Sequence, residues 1–371
     1  MAIILPKKRE KILKTLIKKA FVYLIILFIL ALVFAGFFIW RELGKGPSKA
    51  ALASFSRYEY FKNGAFTNSE NAEEKAGFKD LYSMFLYYFS TDSAPSSPLP
   101  FNHLLKNDFD ISPADFGLYW LGHGSILAEI DGARVLVDPV FGSASPLPFV
   151  LRRLVPAPLT AKNLPKIDIL LITHDHYDHL ERSTIETAFV RHYIVPLGLK
   201  DTLIGWGVDE NKITELGWWE SSEIMGLKIT ATPALHSSGR SWFSKNQSLW
   251  NSYALTSKSK KIFFGGDGAY GSYFASIGRE FQGFDIACLS ISGSPSSLSL
   301  EPSSALKAAK DLGAKALLPV HWGTFNTDLK PWSADIEELY SIKGEQNVLT
   351  PLLGQRFDEK SPTKPWWRVV R

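Results

Sequence analysis

The stretch Ile167–His179, IDILLITHDHYDH, decides the fold. An apolar run, Ile169–Ile172, reads as a buried strand and leads into His174, His176, Asp178 and His179, all within six residues. Residues two apart in extended chain point the same way, so His174 and His176 can grip one ion while Asp178 and His179 turn toward a second. The chain holds only 8 His, and three of them fall in this loop, so a chance polar turn is a poor account of it. Imidazole and carboxylate donors favour zinc, and the same set accepts manganese or iron.

A closed two-metal site needs about three protein ligands per ion and a shared water, so more donors are expected at later strand ends. Three positions fit. His236 in TPALHSSGR follows the strand-like LKITATP, Asp267 in KIFFGGDGAY follows an apolar run and Gly265–Gly266, and His321 in ALLPVHWGTF follows another apolar run. Each alone would read as a rim histidine or a turn aspartate. Their shared place after strands joins them to the HDHYDH loop.

The ordered set HDHYDH, His236, Asp267 and His321 resembles the metallo-β-lactamase superfamily. Within it the chain is similar to the branch of N-acylphosphatidylethanolamine-hydrolysing phospholipase D and related bacterial lipid hydrolases and lactonases. The matching pieces are WLGHGSILAEIDGARVLVDPVF (Trp120–Phe141), LPKIDILLITHDHYDHL (Leu164–Leu180), VPLGLK (Val195–Lys200), ELGWWE (Glu215–Glu220), TPALHSSGR (Thr232–Arg240), GGDGAY (Gly265–Tyr270) and VHWGTF (Val320–Phe325). They run in family order from about Ile111 to Phe325. The resemblance implies an αββα four-layer sandwich of the α/β class with metals along one edge. It implies that His174, His176 and His236 hold a first zinc, that Asp178, His179 and His321 hold a second, and that Asp267 bridges them. Such a pair lowers the pKa of a bound water from about 15.7 toward about 7 and stabilises charge developing on substrate oxygens. Asp178 would orient the water and take its proton, which makes Asp178 and Asp267 catalytic as well as ligating.

Ser299 stands where the phospholipase branch has a pocket histidine, and Gly266–Tyr270 replaces the family's Gly-Asp-Thr-Gly-Tyr. Ser299 and Tyr270 are therefore expected at a substrate pocket that differs from the family's. His123 in LGHGS reads either as a catalytic residue at the pocket rim or as the fixer of a tight Gly-flanked turn. Arg240 reads as a bidentate phosphate contact or as a plain surface arginine. Trp218 and Trp219 read as packing.

Ala20–Trp40 is a run of 21 residues without a charge, enough to cross about 30 Å of hydrocarbon as a helix. Seven basic residues precede it, Lys7 to Lys19, against Arg41, Lys45 and Lys49 after it, which puts the N-terminus in the cytoplasm and the remainder outside. The run exceeds a signal peptide's apolar core and lacks an Ala-x-Ala site, so an uncleaved anchor is expected. Residues 1–19 carry seven positive charges and Glu10, a net +6, which leaves −2 for residues 20–371 of a chain that is +4 overall. The basic excess therefore belongs to the anchor and meets anionic lipid, and no nucleic-acid surface is implied. The single cysteine, Cys288, lies in the apolar FDIACLSI and reads as a buried strand thiol.

The expected organisation is a basic tail (1–19), an anchor (20–40), a linker with covering helices at Ser48–Phe61 and Ala72–Phe89 (41–110), and a catalytic domain (111–371). Within that domain, short strands near Gly117–Trp120, Ile126–Ile130 and Arg134–Val137 precede alternating strands and helices such as Ser183–Val190 and Pro302–Leu312. Ser143–Leu159 holds Arg152 and Arg153 among apolar residues and reads as a lipid-facing loop or a lid packed on the protein. The expected activity is that of a membrane-anchored dinuclear hydrolase of phospholipase D type acting on phospholipid, with a lactonase or other small-ester hydrolase as the alternative and a non-catalytic metalloprotein as a third class. The resemblance also implies a homodimer.

Overall fold

The computed structural model describes residues 7–70, 72, 94–109, 116–147, 150–241, 243–292, 298–325, 327 and 330–370. The expected helix over Ala72–Phe89 lies outside these residues but for Ala72. The chain forms two compact units, Met1–Leu43 and Gly44–Arg371. In the first, Lys7–Leu43 is one helix, and its Lys11–Leu43 portion is long and apolar enough to cross a membrane.

In the second unit a short helix, Lys49–Ser54, is capped by the Ser48 hydroxyl, which accepts from Ala51 N. The helix expected to reach Phe61 ends instead in a single 3-10 turn at Arg57. Asn63 (φ 54°) and Gly64 (φ 81°) then turn a hairpin between β1 (Phe61–Lys62) and β2 (Ala65–Phe66). Two consecutive positive φ values suit Asn-Gly and a tight primed turn, which overrides the helical pattern before it.

Two seven-stranded mixed sheets follow. The first contains β3 (Gly117–Gly122), β4 (Ser125–Ile130), β5 (Ala133–Val137), β6 (Ile167–Leu171), β7 (Val190–Pro196) and β8 (Ile213–Leu216). Its first three strands form an antiparallel meander and the next three continue in parallel from β5. The second repeats the plan with β9 (Ser221–Ile224), β10 (Leu227–Thr232), β11 (Ser252–Thr256) and β12 (Lys261–Phe264) antiparallel, then β13 (Phe284–Ser290), β14 (Ala314–Val320) and β15 (Asn347–Val348) parallel. The final strand, β16 (Arg356–Phe357), returns to pair with β3 of the first sheet.

Strand alternation sorts the core into layers. Leu118 and Trp120 join Ile229 and Leu255 of the other sheet in one buried cluster, whereas Tyr119 and Leu121 face a second cluster with Ile185 and Leu203 from helices Arg182–Thr187 and Lys200–Gly205. Helices Tyr273–Phe281, Pro302–Asp311 and Ala334–Ile342 contribute Phe274, Ala305 and Leu339 to the first cluster. This is the expected αββα sandwich. Because β3 through β6 are covered on both faces, they read as continuous apolar runs rather than alternating ones. The helix expected over Ser183–Val190 stops at Thr187, since Val190 is drawn into β7 opposite Ile167.

Candidate metal centre

Every candidate ligand sits just beyond a strand at one edge of the sandwich. His123 occupies the turn between β3 and β4, the HDHYDH loop follows β6, His236 follows β10, Asp267 follows β12 and His321 follows β14. Gly266, at φ 59°, makes the turn that delivers Asp267, and a Cβ there would meet Thr173 Cβ at 2.7 Å. Glycine at this turn thus has a steric reason as well as a conformational one.

Three imidazoles converge on one point. His174 Nε2 lies 3.0 Å and His236 Nε2 3.3 Å from His176 Nδ1. His236 Nδ1 donates to the Leu298 carbonyl at 2.8 Å, which leaves the Nε2 lone pair facing inward. Thr173 Oγ1 donates to Asp138 Oδ2 at 2.6 Å and so accepts from His174 Nδ1 at 3.0 Å, which fixes the same tautomer there. Two inward lone pairs thus face His176 Nδ1, whose single proton would serve them poorly, whereas a cation satisfies all three. Tetrahedral zinc bonds of about 2.0–2.1 Å would space the nitrogens about 3.3–3.4 Å apart. The donor set therefore fits a metal ion.

Beside it lies a second cluster, His123, Asp178, His179 and His321, with Asp267 between the two groups. His321 Nε2 is 3.1 Å from Asp267 Oδ2 and 3.4 Å from Asp178 Oδ2, and His179 Nε2 is 3.4 Å from Asp267 Oδ2. Among the described residues, His179 Nε2, His321 Nε2 and Asp267 Oδ1 are buried with no hydrogen bond of normal geometry. Buried polar atoms are rarely left so, and these all belong to candidate ligands.

The electrostatics agree with ligation. Burial, reinforced by neighbouring imidazoles, holds His174 well below the usual histidine value, and His236 down to about 4, so both are neutral donors. Burial opposes ionisation of Asp178 and Asp267, but the adjacent imidazoles outweigh it and hold both carboxyls well below the ordinary range. Burial likewise opposes charge on His321, yet Asp267 and Asp178 raise it to about 10, and His179 is raised by the same carboxylates. Without a metal the two carboxylates draw protons onto these histidines, and a divalent cation would displace them.

Asp138 was not singled out from the sequence. It follows β5, and β5 lies parallel to β6 with Val137 opposite Leu171. Its carboxylate accepts from Thr173 N (2.8 Å), Thr173 Oγ1 (2.6 Å) and His179 Nδ1 (2.8 Å), so one buried group orients imidazoles of both clusters. The strand-end Asp in VLVDP was the available signal.

The remaining candidates divide. His123 is fully buried at φ 52°, accepts at its carbonyl from Trp120 Nε1, and its Nε2 contacts Asp178 Oδ2 at 2.9 Å. His123 thus fixes the turn, and its ring touches the cluster from a buried position rather than from a rim. Arg240 is buried and faces inward. Its Nη1 donates to the carbonyls of Asp175 and Leu180, each at 2.9 Å, and its guanidinium lies 4.0 Å over the Tyr177 ring, so it braces the HDHYDH loop. Its burial corrects the reading of a plain surface arginine. Tyr270 is half-buried, with its hydroxyl donating to Asp311 Oδ2 and Lys307 Nζ 4.2 Å from its ring centre. Ser299 is half-buried beside Leu298. In the Ser143–Leu159 loop, Arg153 turns inward to the carbonyls of Leu121, Val140 and Val155, which removes it as a lipid contact. Trp218 is buried as expected, but Trp219, at φ 71°, is half exposed. Cys288 is buried within β13.

Fold and cluster together define a metal-dependent hydrolase. Residues 133–322 match the family model of the beta-lactamase superfamily domain. The chain is 34% identical over 327 residues, 83% of its length and 87% of the relative's, to an uncharacterized protein of Mycobacterium tuberculosis. It is 29% identical over 278 residues to the N-acyl-phosphatidylethanolamine-hydrolyzing phospholipase D 1 of Caenorhabditis elegans, covering 68% of this chain and 77% of that one. Among solved structures, a possible metal-dependent hydrolase of Veillonella parvula shares the fold at TM-score 0.53 and 16% identity, over 65% of this chain and 98% of that one. The chain belongs to the beta-lactamase superfamily and is a metal-dependent hydrolase of it.

Proposed function

We propose that this hydrolase holds two zinc ions and cleaves the phosphodiester of N-acylphosphatidylethanolamine-like lipids in the manner of a phospholipase D. The observation that carries the reading is the convergence of His174 Nε2, His176 Nδ1 and His236 Nε2 beside a second cluster that shares Asp267. His174, His176 and His236 would hold one ion; Asp178, His179 and His321 the other; and Asp267 would bridge them. When bound, the pair supplies Lewis acidity and an activated water. The chain's own contribution is orientation. Asp138 and Leu298 fix imidazole tautomers, and His123 restrains the Asp178 oxygen that would align the water and take its proton.

The substrate class is supported by similarity to a worm enzyme named for that lipid and by the apolar helix. In this reading residues 1–19 are a cytoplasmic tail, 20–40 span the membrane, 41–110 link and cover, and 111–371 act outside the cytoplasm, as a homodimer. The test is metal-loaded full-length protein in detergent offered N-acylphosphatidylethanolamine and, separately, a panel of acyl-homoserine and sugar lactones. Phosphatidic acid with the matching N-acylethanolamine supports the reading. Lactone opening alone replaces it with the small-ester alternative.

A further inference from the structure

His236 is the one member of the three-imidazole cluster carried by the second sheet, and its backbone is held from far away in sequence. Asn68 Oδ1 accepts from His236 N at 3.0 Å, and Asn68 Nδ2 donates to His236 O at 3.0 Å. One side-chain amide thus pairs with both backbone groups of the same residue across 168 positions. With Nδ1 already committed to Leu298 O, the ring and the backbone of His236 are both fixed, and Nε2 has one direction left to point.

Two residues on, Glu70 Oε1 accepts from Ser272 N (2.8 Å) and Ser272 Oγ (2.7 Å), just after the loop that carries Asp267. That loop and the His236 loop are joined directly, since Ala269 N donates to Leu235 O at 2.8 Å. The segment is itself well seated. Phe66 is buried with Trp218 and Trp250, Phe66 N donates to Asn246 O at 2.7 Å, and Trp218 N donates to the Tyr60 hydroxyl at 3.0 Å. What the sequence suggests is a covering linker therefore reaches the edge of the metal cluster.

We propose that Asn68 is a positioning residue for the metal site. By clamping the His236 backbone it presets the three-imidazole cluster, so the segment after the apolar helix completes the centre as well as covering it. The proposal rests on the metal reading above. Partners that orient a metal-binding histidine without touching the ion typically carry about 10–100-fold in metal affinity.

The experiment measures stepwise zinc affinities by chelator competition on full-length protein in detergent, with the visible spectrum of the cobalt-loaded form, for wild type, Asn68→Ala, Asn68→Asp and Tyr58→Phe. Tyr58→Phe removes the bond to Glu220 from the same segment, away from His236, and controls for general loosening. Asn68→Ala should weaken one site by about tenfold or more and leave the other within about threefold, with a changed cobalt spectrum. Asn68→Asp, which cannot donate to His236 O, should weaken it as well, and Tyr58→Phe should move neither site. Unchanged affinities in both Asn68 variants overturn the proposal, as does an equal loss at both sites that Tyr58→Phe reproduces. Wild-type protein that binds no zinc removes the metal reading itself, and the clamp falls with it.

Discussion

Asp138→Asn isolates the part of the centre that orients without ligating. The native carboxylate accepts three hydrogen bonds, two from Thr173 and one from His179 Nδ1. A carboxamide has one oxygen and one NH2 group. If its oxygen keeps the Thr173 N bond, its NH2 group faces His179 Nδ1–H and the Thr173 hydroxyl, and donors meet donors. The relief open to His179 is a tautomer change that makes Nδ1 an acceptor and protonates Nε2, the atom aimed at Asp267. A protonated Nε2 cannot ligate. The expected cost is about 10–100-fold in metal affinity, or about 1.4–2.7 kcal/mol. A further loss of about 1–3 kcal/mol in stability follows from the disturbed buried bonds. Chelator competition reads the first and thermal unfolding of metal-free protein the second. A variant with wild-type metal affinity would refute the claim that Asp138 sets the His179 tautomer.

Ligand removal should be harsher: His174→Ala or Asp267→Ala is expected to abolish hydrolysis and lower bound metal while circular dichroism stays native. Metal binding should strengthen with pH, because His321, raised to about 10, and His179, raised likewise, are protonated when metal-free and must lose those protons to ligate. Each displaced proton makes affinity fall roughly tenfold per unit as pH drops through the range below the raised value, and titration calorimetry in buffers of different ionisation enthalpy should count the protons released. Arg240→Met should cost about 1–3 kcal/mol of stability, since it strands the Asp175 and Leu180 carbonyls; an unchanged melting temperature would sink that role. Trp120→Ala should cost about 3–5 kcal/mol, as Trp120 is buried and stacked on Trp322 with centroids 5.2 Å apart, read by denaturant unfolding.

What the sequence revealed, and what it hid, follows from range. HDHYDH is local, and a metal-capable residue after an apolar run is legible wherever strands end at a common edge, so His236, Asp267 and His321 could be gathered from spacing alone. Asp138 follows a strand too, but its role exists only because β5 lies beside β6, and a lone Asp after a strand ordinarily closes a turn. Asn68 was invisible for the same reason at greater distance. Arg240 and Arg153 show another limit: the sequence names a guanidinium but not the direction it faces, and both turn inward onto carbonyls. The Asn63–Gly64 turn was readable and ends the preceding helix early. The two-residue strands β15 and β16 are too short to carry any periodicity.

The most direct test of the central claim is to strip the protein with chelator, restore zinc in measured steps, and follow phosphatidic acid release from N-acylphosphatidylethanolamine by mass spectrometry beside His176→Ala. The account expects release to be absent in stripped protein, to rise and saturate as two equivalents bind, and to stay near zero in the variant. Release that ignores added metal, or a His176→Ala protein as active as wild type, would contradict it.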